Sequence, residues 1–373
     1  MADSKVFFTS FKATPAENLM QKLHRLMKAA SFESIDFQDK YVAIKIHFGE
    51  YGNLSFLRPN SAKVVADYVR HLGGKPFLTD CNTLYVGSRT NALDHIDTAY
   101  LNGFSPLQTG CHVLIGDGLK GSDDTIIPID LPYVKEAKIG TAIADADIII
   151  SLTHFKGHEC TGFGGTLKNL GMGCGSRRGK MEQHFEGKPV VTAELCVGCG
   201  SCRRICAHGG PVIENGKARI DHDKCVGCGR CIAACPKDAI EPDGEGSITM
   251  LNYKIAEYTY AVCKDKPHFH ISLICDVSPN CDCHGENDIP IIPDVGMLAS
   301  FDPVALDMAC VDLCNKMPVI ENSLLDRERK AHLAEDDNHE HFHMTHPDAE
   351  WESCLEHGEK IGLGTREYKL IQI

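Results

Sequence analysis

Residues 41–82, YVAIKIHFGEYGNLSFLRPNSAKVVADYVRHLGGKPFLTDCN, read as strand, helix, strand. YVAIKIHF (41–48) is an apolar run of strand length, and Ser61 to Leu72 carries a helical repeat. Gly73-Gly74 stops that helix, and PFLTDCN (76–82) is the next strand. Upstream, residues 5–10 read as a short strand. Pro15 to Ala30 then places Leu19, Leu23, Leu26, Met27 and Ala30 on one helical face, with Pro15 suited to a first turn. Downstream come a helix near 91–102, a strand in CHVLIGDG (111–118), a helical IGTAIADAD (139–147) and the strongly apolar strand IIISLTHF (148–155). Alternation resumes late in the chain with a helix near 252–264, the strand HISLICDV (270–277), a helix containing PVALDMACVDL and a closing strand EYKLIQI. Strands alternating with helices at this spacing predict an α/β fold, a largely parallel sheet with helices on both faces.

Between the two halves lie CVGCGSCRRICA (196–207) and CVGCGRCIAACP (225–236), two runs of C-x2-C-x2-C-x3-C. Gly198, Gly200, Gly227 and Gly229 leave backbone amides free to approach the sulfurs. Paired zinc knuckles fit less well, because zinc sites usually separate two C-x2-C pairs by a longer spacer. The segment resembles the bacterial two-cluster ferredoxins over about fifty residues, departing from them at Ala207, where that family usually has proline. In such ferredoxins the fourth cysteine of each run ligates the other cluster. The resemblance therefore implies two 4Fe–4S clusters, one on Cys196, Cys199, Cys202 and Cys235, the other on Cys225, Cys228, Cys231 and Cys206. Because strand-helix alternation resumes afterwards, residues 190–242 are expected to form a small α+β ferredoxin-like domain. It would be inserted between the first part (1–189) and the second part (243–373) of one α/β domain.

The 373 residues include 19 cysteines, so eleven remain beyond the two runs. An odd remainder, with no export signal in MADSKVFFTS, points to free thiols in a reducing cytoplasm. No apolar run reaches bilayer-spanning length, so no membrane association is expected. A net charge of -13 argues against nonspecific nucleic-acid binding. The charge is uneven: residues 321–359 carry twelve acids against three basic residues, and residues 153–189 carry six basic residues against three acids. The histidines of the acidic tail (His332, His339, His341, His343 and His346) are metal-ligand types, though a solvated loop explains them as well.

The basic stretch THFKGHECTGFGGTLKNLGMGCGSRRGKMEQH (153–184) follows the most apolar strand. In parallel α/β sheets the loops at the carboxyl ends of strands carry the ligand. Three readings compete. Gly162, Gly164 and Gly165 could present free amides at a helix start to an anion, neutralised by Lys156, Lys168, Arg177, Arg178 and Lys180. Alternatively, His154, His158, Cys160, Cys174 and His184 could supply metal ligands, joined by Asp276, Cys281, Cys283 and His284. Third, the histidines could cap a tight loop and the cysteines serve as small buried hydrophobes. The candidate site residues are thus His154, Lys156 and His158 for chemistry. Gly162, Gly164, Gly165, Lys168 and Lys180 are candidates for an anion, and His158, Cys174, Cys281 and Cys283 for a third metal.

HFKGHECTGFGGTLKNLGMGCGSRRGK (154–180) and CDCHGENDIPIIPDVGMLASFDPVALD (281–307) together resemble the uncharacterised Fe–S centre proteins, the family called domain of unknown function 362. The likeness covers nearly the whole chain and implies a cytoplasmic iron–sulfur protein of unestablished reaction. Electron transfer from a redox partner protein or small carrier, through the clusters to a site in the α/β domain, is the leading expectation, with a further metal ion, flavin or nucleotide as candidate cofactor there. A noncatalytic carrier or redox sensor is the alternative.

Overall fold

Side-chain alternation along Ile148–His154 sets the two faces of the sheet: Ile148, Ile150 and Leu152 enter one apolar cluster, and Ile149 enters another on the opposite side. All seven residues of this strand are buried, as a strand covered on both faces must be. The computed structural model describes residues 4–84, 87–184, 188–225, 231, 234–237, 239–242, 247–331 and 340–373. Eight strands build the main sheet: β1 (Ser4–Ser10), β2 (Tyr41–Lys45), β3 (Lys75–Asp80), β4 (His112–Ile115), β5 (Ile148–His154), β6 (His268–Ile274), β7 (Gly296–Ser300) and β8 (Tyr368–Gln372). Their order is β8-β1-β7-β6-β5-β2-β3-β4, and only β7 runs against its neighbours. The largely parallel α/β sheet expected from the sequence is therefore present.

Two helices, α1 (Leu19–Ala29) and α2 (Pro59–His71), cover the face of Val42, Ile44 and Ile150. The helix α3 (Ala92–Leu101) follows β3 in sequence. On the opposite face lie α4 (Thr166–Cys174), α5 (Arg177–His184), α6 (Ser247–Cys263), α7 (Pro303–Asn315) and α8 (Trp351–Lys360). Each fully buried aliphatic side chain in these clusters contributes about 1.5–3 kcal/mol relative to exposure.

Two local expectations are corrected. The first helix begins at Leu19 rather than Pro15, because Asn18 caps it. The Asn18 side chain accepts from the amides of Met20 and Gln21, and the Gln21 side chain accepts the Asn18 amide. IGTAIADAD is mostly not helical. Glu136–Gly140 pairs with Asp124–Pro128 in a hairpin, leaving one helical turn at Thr141–Ala144.

From β2 the chain builds outward through β3 to β4, then returns to lay β5 on the other side of β2. The order reverses between β2 and β5, which opens a crevice at their carboxyl ends. After α5 the chain leaves the sheet. Pro189–Val191 pairs antiparallel with Ile240–Pro242, and between them lies a hairpin of Pro211–Glu214 with Lys217–Ile220. Cys196, Cys202, Ala218, Cys231, Ala239 and Ile240 form a separate small core there.

Candidate functional site

The crevice at the reversal point holds a buried cavity of about 80 Å3. At roughly 10–15 Å3 per water, that is room for about half a dozen waters or one small molecule. Its walls come from residues that end apolar strands: Lys45 closes β2, Asp80 closes β3 and His154 closes β5. Lys45, Arg89, Lys156, Lys168 and Lys180 bring five cationic side chains to the lining, against the carboxylates of Asp80 and Asp282.

Buried charges have to be paired, and most of these are. Lys45 Nζ lies 3.1 Å from Asp80 Oδ1 and donates to Asn169 Oδ1 at 2.7 Å. Burial pushes the Asp80 carboxyl up, but Lys45 and the further positive groups around it, Lys180 among them, together outweigh burial and hold Asp80 below the usual carboxylate range. Arg89 donates through Nε to Glu50 Oε2 at 3.0 Å and lies 3.7 Å from Asp80. His47, half-buried among these groups, is pushed down to about 3 by desolvation and stays neutral.

The three residues expected to carry chemistry, His154, Lys156 and His158, all line the cavity, but they play different parts. His154 Nδ1 faces both oxygens of Asp282 at 2.9 and 3.0 Å, and Nε2 faces the Cys275 carbonyl at 2.7 Å. Both ring nitrogens are engaged with oxygen atoms of the fold, so His154 serves to position Asp282. His158 Nδ1 accepts the amides of Cys160 and Thr161, each at 3.1 Å. That leaves the ring proton on Nε2, which lies 3.9 Å from Glu159 Oε1. In this tautomer His158 is a donor rather than a metal ligand. Lys156 lies across Gly164, close enough that a Cβ there would meet Nζ at 2.5 Å.

The glycine loop does not form the anion cradle expected of it. Gly162–Gly164 pairs with Lys156–His158 as a short hairpin. At the start of α4 the amides of Thr166 and Leu167 are taken by the Asp307 carboxylate, at 2.7 and 2.9 Å. Gly165 is required because a Cβ would strike that carboxylate at 2.6 Å. Burial raises Asp307 to about 7. Lys180 Nζ donates to the carbonyls of Gly173 and Gly175 at the other end of α4, at 3.3 and 2.6 Å. Arg177 bonds the Thr90 carbonyl, and Arg178 pairs with Asp124 at 2.6 Å. Any anion in the cavity would meet Lys156 and Lys168 side chains, not a helix start.

Lys168 reaches the other wall, where its Nζ lies 3.4 Å from Cys281 Sγ. The Cys283 thiol and then Lys168 hold Cys281 well below the ordinary thiol range against the effect of burial. The proposed third-metal set is split. Cys281 and Cys283 line the cavity with His158, but Cys174 packs in the apolar cluster with Cys81 and Cys263, its thiol pushed up to about 12 by burial. Glu159 and His284 take its place: Glu159 Oε1 lies 2.6 Å from His284 Nε2, and Glu159 Oε2 accepts the Cys281 amide at 3.3 Å. Donor atoms of Glu159, Cys283 and His284 lie within 4.8 Å of one another, and so do those of Cys263, His268 and His270. Sequence reading missed Lys45, Asp80, Arg89 and Glu159, although a charged residue closing an otherwise apolar strand signals the first two.

Of the tail histidines, His341 Nε2 bonds the Met317 carbonyl at 3.0 Å and His346 Nε2 bonds the Pro279 carbonyl at 2.8 Å. His343 Nδ1 bonds the Ala349 carbonyl at 3.3 Å; His332 and His339 lie outside the described residues.

In the small core, Cys196, Cys199, Cys202 and Cys235 surround one cavity. Two sulfurs receive backbone amides, Ala218 N to Cys196 Sγ at 3.2 Å and Ala239 N to Cys235 Sγ at 3.3 Å. Four thiols converging from two distant runs, with amides aimed at sulfur, fit a cubane cluster. For the second set, Cys225 packs against Gly210, in the loop that follows Cys206; Cys231 is buried, and Cys228 lies outside the described residues. No disulfide joins any of the described cysteines. His208, two residues past Cys206, bonds the carbonyl of Leu84, a residue of the cavity wall, at 3.2 Å.

The fold and site thus define a class: an α/β protein with a buried, cation-rich cavity at the reversal point of a largely parallel sheet. The chain matches the domain of unknown function DUF362 over residues 42–312, and it belongs to that family. No curated protein matches it. Among solved structures, it is similar to the lactate racemase apoprotein from Thermoanaerobacterium thermosaccharolyticum (10% identity, TM-score 0.32, 73% of this chain and 51% of that one). It is also similar to a Thermotoga maritima protein of a structural genomics programme (13% identity, TM-score 0.42, 79% of this chain and 57% of that one). The chain thus spans little more than half the length of either. Among the described residues, no helix is long and apolar enough to cross a membrane.

Proposed function

We propose that this chain is an iron–sulfur oxidoreductase in which an inserted module, residues 190–242, carries electrons to the cavity between β2 and β5. The observation that carries the reading is the convergence of Cys196, Cys199, Cys202 and Cys235 on one space with amides donated to two of the sulfurs. Bound at the eight cysteines, two 4Fe–4S clusters would supply one-electron transfer. The chain's own residues do the rest. Cys199 is exposed, with Leu195 and Val197 exposed beside it, which suits contact with an external redox partner or small carrier. The His208–Leu84 contact ties the loop after Cys206 to the cavity wall, which supports an electron path from the module to the cavity.

Within the cavity, Lys156 and Lys168 would bind a small anion, and buried walls would exclude bulk water. His158, with its proton on Nε2, is the group placed to donate a hydrogen bond. Anaerobic reconstitution followed by iron and acid-labile sulfide analysis tests the reading. About eight of each per chain are expected from two clusters; a sulfide-free protein would refute it.

A further inference from the structure

We propose that Glu159, Cys283 and His284 form a mononuclear site for a borderline divalent transition metal, of the kind zinc, iron(II) or nickel, at the edge of the cavity. Their donor atoms lie within 4.8 Å of one another, and they combine a carboxylate, a thiol and an imidazole. Mixed oxygen, nitrogen and sulfur donors suit such ions and not calcium or magnesium. The site stands independently of the electron relay.

The surroundings are those of a preorganised site. The Cys281 amide donates to Glu159 Oε2 at 3.3 Å, orienting the carboxylate from behind. The turn that presents Cys283 is closed by His284 N to the Cys281 carbonyl at 3.1 Å and pinned to the loop after β2 by Glu50 N to the Asp282 carbonyl at 2.9 Å. Asn53 Nδ2 holds the His284 carbonyl at 3.0 Å. Gly285 lets that loop approach, since a Cβ there would meet the Tyr51 carbonyl at 2.8 Å. Glu159 Oε1 and His284 Nε2 now sit 2.6 Å apart as a hydrogen-bonded pair. Two donors about 2.0–2.1 Å from a tetrahedral ion lie roughly 3.3 Å apart. The ion would replace the shared proton, which moves to the other ring nitrogen of His284, and the Glu159–His284 pair would widen by under one ångström. Cys283 gives up its thiol proton on binding.

Three protein donors would leave one position of a tetrahedral ion for a further ligand, and Cys283 places the site at the cavity lining. Lys168, 3.4 Å from Cys281 Sγ, offsets negative charge next to the site. The alternative group, Cys263, His268 and His270, is less suited. His270 Nε2 already bonds His268 at 2.8 Å, and His270 Nδ1 bonds Ser151 at 2.9 Å, so both of its nitrogens are engaged.

The test uses the full chain, cluster-loaded under anaerobic conditions and titrated with cobalt(II), read by metal analysis and by the thiolate-to-cobalt charge-transfer band. The expected result is one cobalt per chain with that band. Cys283→Ser should abolish the band, and His284→Asn should weaken binding more than tenfold while the iron-to-sulfide ratio is unchanged. Cys263→Ser should bind as the wild type does. Folding of each variant is checked by circular dichroism, and His284→Asn decides if Cys283→Ser does not fold. Failure of the folded wild type to bind cobalt, or unaltered binding by His284→Asn, would overturn the proposal. Because iron and sulfide report the clusters and cobalt reports this site, either reading can fail without the other.

Discussion

Protons and hydrogen-bond directions at single residues decide what this cavity can do. Asp307 illustrates how burial and function interlock, because it closes the start of α4 and is raised to about 7 inside the fold. Its unfolded value is about 3.9. The folded chain therefore holds this proton more tightly, and the associated stability is full below about pH 4 and lost as pH rises through about 7. Asp307→Asn keeps an oxygen acceptor and removes the titration. The stability of wild type relative to this variant should fall by on the order of 2 kcal/mol between about pH 5.5 and 7.5. Urea unfolding at both pH values measures it, and a pH-independent difference would refute the assignment. Cys199→Ala removes a thiol from the first cluster's cavity. Iron should drop from about eight per chain to about four or fewer. Unchanged iron content would contradict the ligand set.

Elements matter here chiefly through close backbone approach. The helix α4 carries Lys168 and Asn169 into the cavity and packs on α6 at Gly171, where a Cβ would meet the Ile255 carbonyl at 2.2 Å. Gly171→Ala must push the two helices apart, at a cost of about 1–3 kcal/mol. The midpoint of chemical unfolding should fall accordingly, and a variant as stable as wild type would show that α4 can shift freely. The hairpin before α4 is held in the same manner, since a Cβ on Gly157 would strike the Pro279 carbonyl at 2.2 Å. These contacts explain a glycine density that, in sequence, resembles an anion loop. Glycine serves both purposes, and only the neighbouring backbone tells them apart.

At the scale of the whole molecule, the question is how the cysteine-rich segment joins the sheet. Its two ends pair, Val191 with Ile240, so the chain leaves and returns at one place. Replacing residues 190–241 with a short glycine-serine linker should leave a folded α/β protein free of cluster iron. Circular dichroism and iron analysis check both halves of that expectation; an unfolded product would mean that the segment is part of the main core. Contact with the cavity wall through His208 should be lost with it.

Sequence by itself determined the strands of the main sheet other than β7, the α/β class and the cysteine spacing, because apolar alternation and loop-length ligand runs are local properties. It also marked His154, Lys156 and His158, which end or follow the most buried strand. Tertiary structure decided the rest. The order β5-β2-β3 brings Lys45, Asp80 and His154 to one rim, although 109 residues separate the first from the last. It also set Glu159 beside His284 and sent Cys174 into an apolar cluster. Within the strand-helix-strand of residues 41–82, Lys45 and Asp80 stand where two apolar strands end. Which strand lies next to which is set by long-range packing, and no local pattern encodes it.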